Sequence, residues 1–176
     1  MKITAVETLS LPEYPNVLWV RIHTDEGIIG LGETFYAVAP VAAHIHETCA
    51  PYLLGKDPFR IDAHSRHFLN TYLGFNSVGV EMRAASAIDI ALWDLFGQAT
   101  GQPIYQLLGG ASHDKVRVYN TCAGYEYVRA KPTQGTANFG LPARLDRKNR
   151  PYEDLVAFKT DAGALAESLL DMGITA

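Results

Sequence analysis

Residues 84–110 read AASAIDIALWDLFGQATGQPIYQLLGG, a long apolar helix followed by a Gly-Gln-Pro stop and a Gly-Gly turn. Ala84, Ala87, Ile88, Ala91, Leu92, Leu95 and Ala99 recur at helical spacing, so one broad apolar stripe must pack against a large partner surface. Ala84, Ala85, Ala87 and Ala91 keep that stripe thin and allow close approach of a second element, while Trp93 and Phe96 supply bulk to one side. Gly101 suits the left-handed conformation after a last turn, and Pro103 forbids continuation, which predicts a helix end near Thr100.

Upstream of this helix the pattern is that of a β-meander. Lys2–Leu11 is β-rich and the stretch Pro12–Asn16 breaks it. From Val17 to Thr24 the chain alternates Leu18, Val20 and Ile22 against Trp19, Arg21 and His23. Asp25, Glu26 and Gly27 form a tight turn into Ile28–Glu33, where Ile29 and Leu31 are expected to continue the buried face and Gly30 and Gly32 to leave room for a close neighbour. Val38–Ala50 turns helical with Pro51 as its stop, and Pro58–Leu73 reads as a second helix with Asp57 as N-cap. Three antiparallel strands and a helical bundle covering their apolar face make an α+β layer arrangement.

Beyond Gly110 the pattern changes. Lys115–Ala123, KVRVYNTCA, is a β-branched run predicting a strand; residues 124–152 are rich in Gly, Pro, Arg, Lys and Asn; Tyr152–Met172 returns to helix. Gly173 ends that helix, and Ile174, Thr175 and Ala176 read as the opening of a further strand. The expected domains are therefore 1–110 and 111–176, the second holding a long loop at about 124–152.

The string at 84–110 resembles the segment that leaves the N-terminal capping domain and enters the barrel in the enolase superfamily, particularly its mandelate racemase and muconate lactonizing branch. The resemblance covers essentially the whole chain, with Arg129–Arg150 its least typical part. It implies that 1–110 is the capping domain and that 111–176 begins a TIM-like (β/α) barrel. It also implies a Mg²⁺-dependent enzyme that abstracts the proton α to a carboxylate, most plausibly an acid-sugar dehydratase or a mandelate-racemase-like isomerase. A cycloisomerase or racemase of the same superfamily is the alternative, as is a non-catalytic capping or assembly module.

In that superfamily the metal carboxylates stand at the ends of later barrel strands, and the common Lys-x-Lys motif follows the start of the second. No Lys-x-Lys occurs here, so no catalytic residue and no metal ligand is assigned; the Mg²⁺ ligands are expected after residue 176, and the chain alone is expected to be inactive. The resemblance does place two capping loops over the substrate, matching Pro12–Asn16 and Thr34–Val38, with Tyr14, Phe35 and Tyr36 as candidate substrate-binding residues. Asn120 and Tyr125, near the end of the first barrel strand, complete the set. A homo-oligomer is expected.

Composition limits the partners. With 15 basic and 19 acidic side chains the net charge is −4, which disfavours a general nucleic-acid or anionic-membrane surface and fits small-molecule work better; that the small molecule is a carboxylate, an acid sugar, is what the resemblance implies. The apolar runs are too short to span a membrane and the first ten residues lack a signal-peptide core, so a cytoplasmic location is expected. Cys49 and Cys122 are read as two reduced thiols. The histidines at 44, 46, 64 and 67 read as solvated helix residues rather than zinc ligands, and Glu81, Asp89 and Asp94 as helix capping and surface salt bridges. The basic run Arg144–Arg150 reads as a solvated loop, with a lid as the alternative.

Overall fold

A computed structural model of the chain describes residues 1–70, 79–120 and 160–175. These fall into two compact units, one of Met1–Pro12 with Asn16–Ala111 and one of Glu13–Pro15 with Ser112–Ala176.

The first unit opens with a three-stranded antiparallel sheet in the order β1-β2-β3: β1 Ile3–Leu9, β2 Val17–Thr24 and β3 Ile29–Phe35. The β2 alternation is realised as read, with Leu18, Val20 and Ile22 buried and Trp19, Arg21 and His23 facing the other side. Gly27, at φ +81°, makes the turn into β3. On β3 the expected faces are exchanged: Gly30 and Gly32 lie on the core side, whereas Leu31 is 49% exposed opposite Arg21. The physical reason is the helix that covers them.

That helix is α4, Val80–Thr100, after α1 (Val38–His44), α2 (Ala50–Leu53) and α3 (Ile61–Asn70). Its buried stripe comprises Ala84, Ala87, Ile88, Ala91, Leu92 and Leu95, as the periodicity predicts. A Cβ on Gly30 would stand 2.1 Å from the Ala91 carbonyl oxygen, and one on Gly32 1.9 Å from that of Ala87. Two backbones thus touch where both carry minimal side chains, and hydrophobic size is supplied beside the seam by Ile22, Ile88, Leu92 and Leu95. Gly101 adopts φ +64°, and the Gly101 and Gln102 N–H groups bond to the Gln98 and Gly97 carbonyls, closing the helix where Pro103 requires it.

The same helix covers the open edge of β3. Gln98 Nε2 donates to the Ile29 carbonyl at 2.8 Å, the Leu31 N–H donates to Asp94 Oδ2 at 2.8 Å, and Arg83 Nη1 donates to the Phe35 carbonyl. Outward-facing backbone groups of alternate residues are thereby satisfied from one helix stripe, which blocks pairing with another chain's strand. Asp94 is a strand-edge acceptor rather than the surface ion pair expected of it. Asp89 likewise accepts from Ser65 Oγ at 2.5 Å, while Glu81 does cap, accepting from the Gly79 N–H at 3.3 Å.

Other helix boundaries differ from expectation. Pro51 does not stop the helix begun at Val38; a π-turn over Ile45–Cys49 intervenes and α2 continues to Leu53. The wider turn accommodates a ring that would otherwise collide with the carbonyl four residues back. Asp57 accepts from the Phe59 N–H at 3.0 Å and so forms a local turn, delaying α3 to Ile61. A short α5, Ile104–Leu107, follows Pro103.

The second unit contains α6, Ala162–Asp171, capped by the Asp161 side chain on the Ala164 N–H at 3.2 Å. Gly173, at φ +79°, ends it as expected, but the Ile174 N–H returns to the Leu169 carbonyl at 2.9 Å, so Ile174 completes the helix cap instead of opening a strand. Among the described residues Lys115–Asn120 carries no strand, with Val116 81% exposed; a β-branched run does not by itself make a ladder. The remainder of that expected strand, the long loop with Arg144–Arg150 and the first part of the Tyr152–Met172 helix lie outside the described residues.

Candidate functional site

β3 runs two residues further than its sequence pattern suggests, through Phe35, and α1 starts at Val38. The expected capping loop Thr34–Val38 therefore contracts to a two-residue connection, Tyr36–Ala37. Both residues lie in the left-handed region, Tyr36 at φ +73° and Ala37 at φ +54°, and they are the only non-glycine residues with positive φ among those described. For residues with a Cβ this conformation costs about 1–2 kcal/mol each, and such strain persists only where surrounding contacts over-determine it.

The Tyr36 N–H donates to the Asn16 carbonyl at 2.6 Å, binding the residue to the start of β2. The Ala37 carbonyl accepts from the Val41 N–H at 3.0 Å, which builds the turn into the first turn of α1. Arg83, in the first turn of α4, donates to the Phe35 carbonyl and places its guanidinium carbon 5.8 Å from the centre of the Tyr36 ring. Asn16 is buried at 3% exposure, whereas Tyr36 is 46% exposed. A rigid base thus presents a wet aromatic ring. Phe35 and Tyr36 stand with ring centres 6.4 Å apart.

Of the five candidate residues, the structure brings Phe35 and Tyr36 together on this turn. Tyr14 and Asn120 belong to the second unit and are each half-buried, and Tyr125 lies outside the described residues. Arg83 and Asn16 were not foreseen. Arg83 was legible in principle: it lies on one helical stripe with Asp94 and Gln98, beside Ala87 and Ala91, and a polar stripe flanking a small-residue seam marks groups aimed at the neighbouring strand. Asn16 acts through its carbonyl, for which side-chain identity carries no signal.

A second polar cluster lies between α2 and α3. His64, expected to be solvated, is buried at 2% exposure; its Nε2 bonds the Asp57 carbonyl at 2.8 Å and its Nδ1 lies 3.2 Å from the Tyr52 hydroxyl. One packed face of a short helix left no solvent for it. His67 stacks on the Tyr52 ring at 3.6 Å, with the Lys56 ammonium 4.6 Å from the centre of that ring. Burial, then Lys56 and His64, hold His67 below its ordinary value of 6.5. His46 Nε2 lies 2.8 Å from Thr8 Oγ1. Cys49 is a free, buried thiol whose desolvation raises its pKa to about 12, while Cys122 lies outside the described residues.

Among the described residues no three His, Cys, Asp or Glu side chains converge in a way that could hold a cation. These described residues do not fit a magnesium site. No helix among them is long and apolar enough to cross a membrane.

A glycine-seamed sheet and helix with a strained aromatic turn at one end define an α+β capping domain. Residues 3–109 match the family described as mandelate racemase / muconate lactonizing enzyme, N-terminal domain, and the chain belongs to that family, within the enolase superfamily. A D-galactonate dehydratase from Verminephrobacter eiseniae is 42% identical over 150 residues, covering 80% of this chain and 38% of the relative. A solved enolase of the mandelate racemase subgroup from Agrobacterium tumefaciens superposes with a TM-score of 0.66 at 54% identity, covering 70% of this chain and 34% of that one. An enolase from Pantoea ananatis, solved with bound D-gluconate and Mg, gives a TM-score of 0.60 at 40% identity over 67% of this chain and 29% of that one. The chain spans between 30 and 38% of the length of the curated relatives it matches. Relatives of this chain include acid-sugar dehydratases.

Proposed function

We propose that this chain is the substrate-capping part of a Mg²⁺-dependent acid-sugar dehydratase. Residues 1–110 form the capping domain and 111–176 begin the (β/α) barrel. The observation that carries the reading is the strained Tyr36–Ala37 turn, which projects a half-exposed aromatic ring from a rigid base, in a chain 42% identical to a D-galactonate dehydratase. Strained conformations held by surrounding contacts cluster at ligand clamps. The Pantoea enolase with bound D-gluconate and Mg supports the choice of substrate class and cofactor.

In the reaction the bond from the α-carbon to hydrogen breaks, the β-hydroxyl leaves as water, and the enol tautomerises to a 2-keto-3-deoxy acid. Magnesium supplies charge stabilisation at the substrate carboxylate when bound. The residues of this chain serve the substrate side: Tyr36 and Phe35 cover the polyol end of the substrate and exclude water, and Tyr14, Asn120 and Tyr125 are the further substrate-binding candidates. The protein works in the cytoplasm as a homo-oligomer.

The test is proton exchange and dehydration by the full-length gene product in D₂O with Mg²⁺, followed by NMR on a panel including D-galactonate and D-gluconate. Loss of the α-proton signal with appearance of a 2-keto-3-deoxy product is expected for at least one acid sugar, and residues 1–176 expressed alone are expected to leave it untouched. Racemisation without loss of water would replace dehydratase by racemase.

A further inference from the structure

We infer that Arg83 is the positioning residue of the capping turn: it holds Phe35–Ala37 in its strained conformation and thereby sets substrate affinity. This rests on the capping reading above.

Three contacts converge. Arg83 Nη1 closes on the Phe35 carbonyl, the residue immediately before the left-handed pair. The same guanidinium lies 5.8 Å from the centre of the Tyr36 ring, which fixes the ring's direction as well as the backbone's. From the opposite side the Asn16 carbonyl takes the Tyr36 N–H at 2.6 Å. Of these holders, Arg83 alone acts through a side chain, so it is the one that substitution can remove.

The planar guanidinium is suited to both tasks at once. It can donate in plane to a carbonyl while offering its face or edge to an aromatic ring, which an ammonium cannot reproduce. Its place in the first turn of α4 matters too, since that helix is anchored on Gly30 and Gly32 by backbone contact. The turn is thus referenced to the seam where helix and sheet meet backbone to backbone. Releasing it lets Tyr36 leave its left-handed conformation for the ordinary β or helical regions, where its ring points elsewhere.

Arg83→Gln and Arg83→Lys test this on two readouts. In the 176-residue chain, amide exchange by NMR is expected to show the Tyr36 N–H exchanging about tenfold faster in Arg83→Gln, with Val20 and Ile22 of β2 unchanged. Arg83→Lys is expected to recover part of that protection, through charge over the ring. In the full-length enzyme, Arg83→Gln is expected to raise KM for the acid sugar about tenfold while kcat stays within about twofold. Unchanged Tyr36 exchange with β2 intact would overturn the assignment, as would a uniform loss of protection across β2 and α4, which marks a structural role alone. Faster Tyr36 exchange with unaltered KM would overturn the link to affinity. Should the wild-type enzyme turn over no acid sugar, the capping reading fails, and the exchange experiment still decides whether Arg83 holds the turn.

Discussion

The two ends of the β3–α4 contact are built on opposite principles. At the seam, Gly30 and Gly32 meet Ala91 and Ala87 backbone to backbone, with nothing strained and no room to spare. At the Tyr36–Ala37 turn, bulkier residues hold a conformation that suits glycine, and one ring is left half in water. The seam is what folding requires; the turn is what folding tolerates. On the proposed capping role, stability and ligand recognition are therefore separable in this domain, and substitutions at the two places should have opposite effects on stability.

The largest effect belongs to the packed side. Truncating Leu92, fully buried beside the seam, is expected to cost about 2–5 kcal/mol in denaturant unfolding. Gly32→Ala places a methyl 1.9 Å from a helix carbonyl, and since backbone has to move, a loss of about 3 kcal/mol is expected. A fully stable Gly32→Ala variant would show that α4 does not lie directly on β3. At the other end, Ala37→Gly removes the left-handed penalty at the cost of unfolded-chain entropy, so it is expected to be neutral to about 1 kcal/mol stabilising. Destabilisation comparable to that of the seam variants would erase the contrast.

A smaller effect concerns pH. His67 is held below its ordinary value of 6.5 by burial first and then by Lys56 and His64. As pH falls the unfolded chain therefore binds the proton first. His67's share of the stability is complete above about 6.5 and is lost as pH drops through the lowered native value. His67→Gln is expected to flatten that part of the stability–pH curve, and an unchanged curve would assign the dependence to other groups.

How much of this was legible in the chain follows the same division. Wherever a pattern is enforced by burial against a partner, it could be read: the alternation of β2, the apolar stripe of α4 and its end at Gly101. The β3 faces were misread because hydrophobic size normally marks the core side, whereas here the close helix admits only Gly30 and Gly32 and expels Leu31. In the expected strand Lys115–Ala123 the described part, Lys115–Asn120, carries no ladder, since strand propensity by itself does not make one. That Tyr36 directly follows a strand was legible. Its left-handed backbone was not, because no glycine or asparagine announces it, and neither was the Asn16 carbonyl that holds it.

The central claim is that the turn at Tyr36 exists to cover an acid sugar. Its most direct test is kcat/KM of Tyr36→Ala in the full-length enzyme on its best acid-sugar substrate, with thermal unfolding measured alongside. The account predicts a fall in kcat/KM of about tenfold or more, carried by KM, with unfolding unchanged. An unaltered kcat/KM in a folded variant would contradict it.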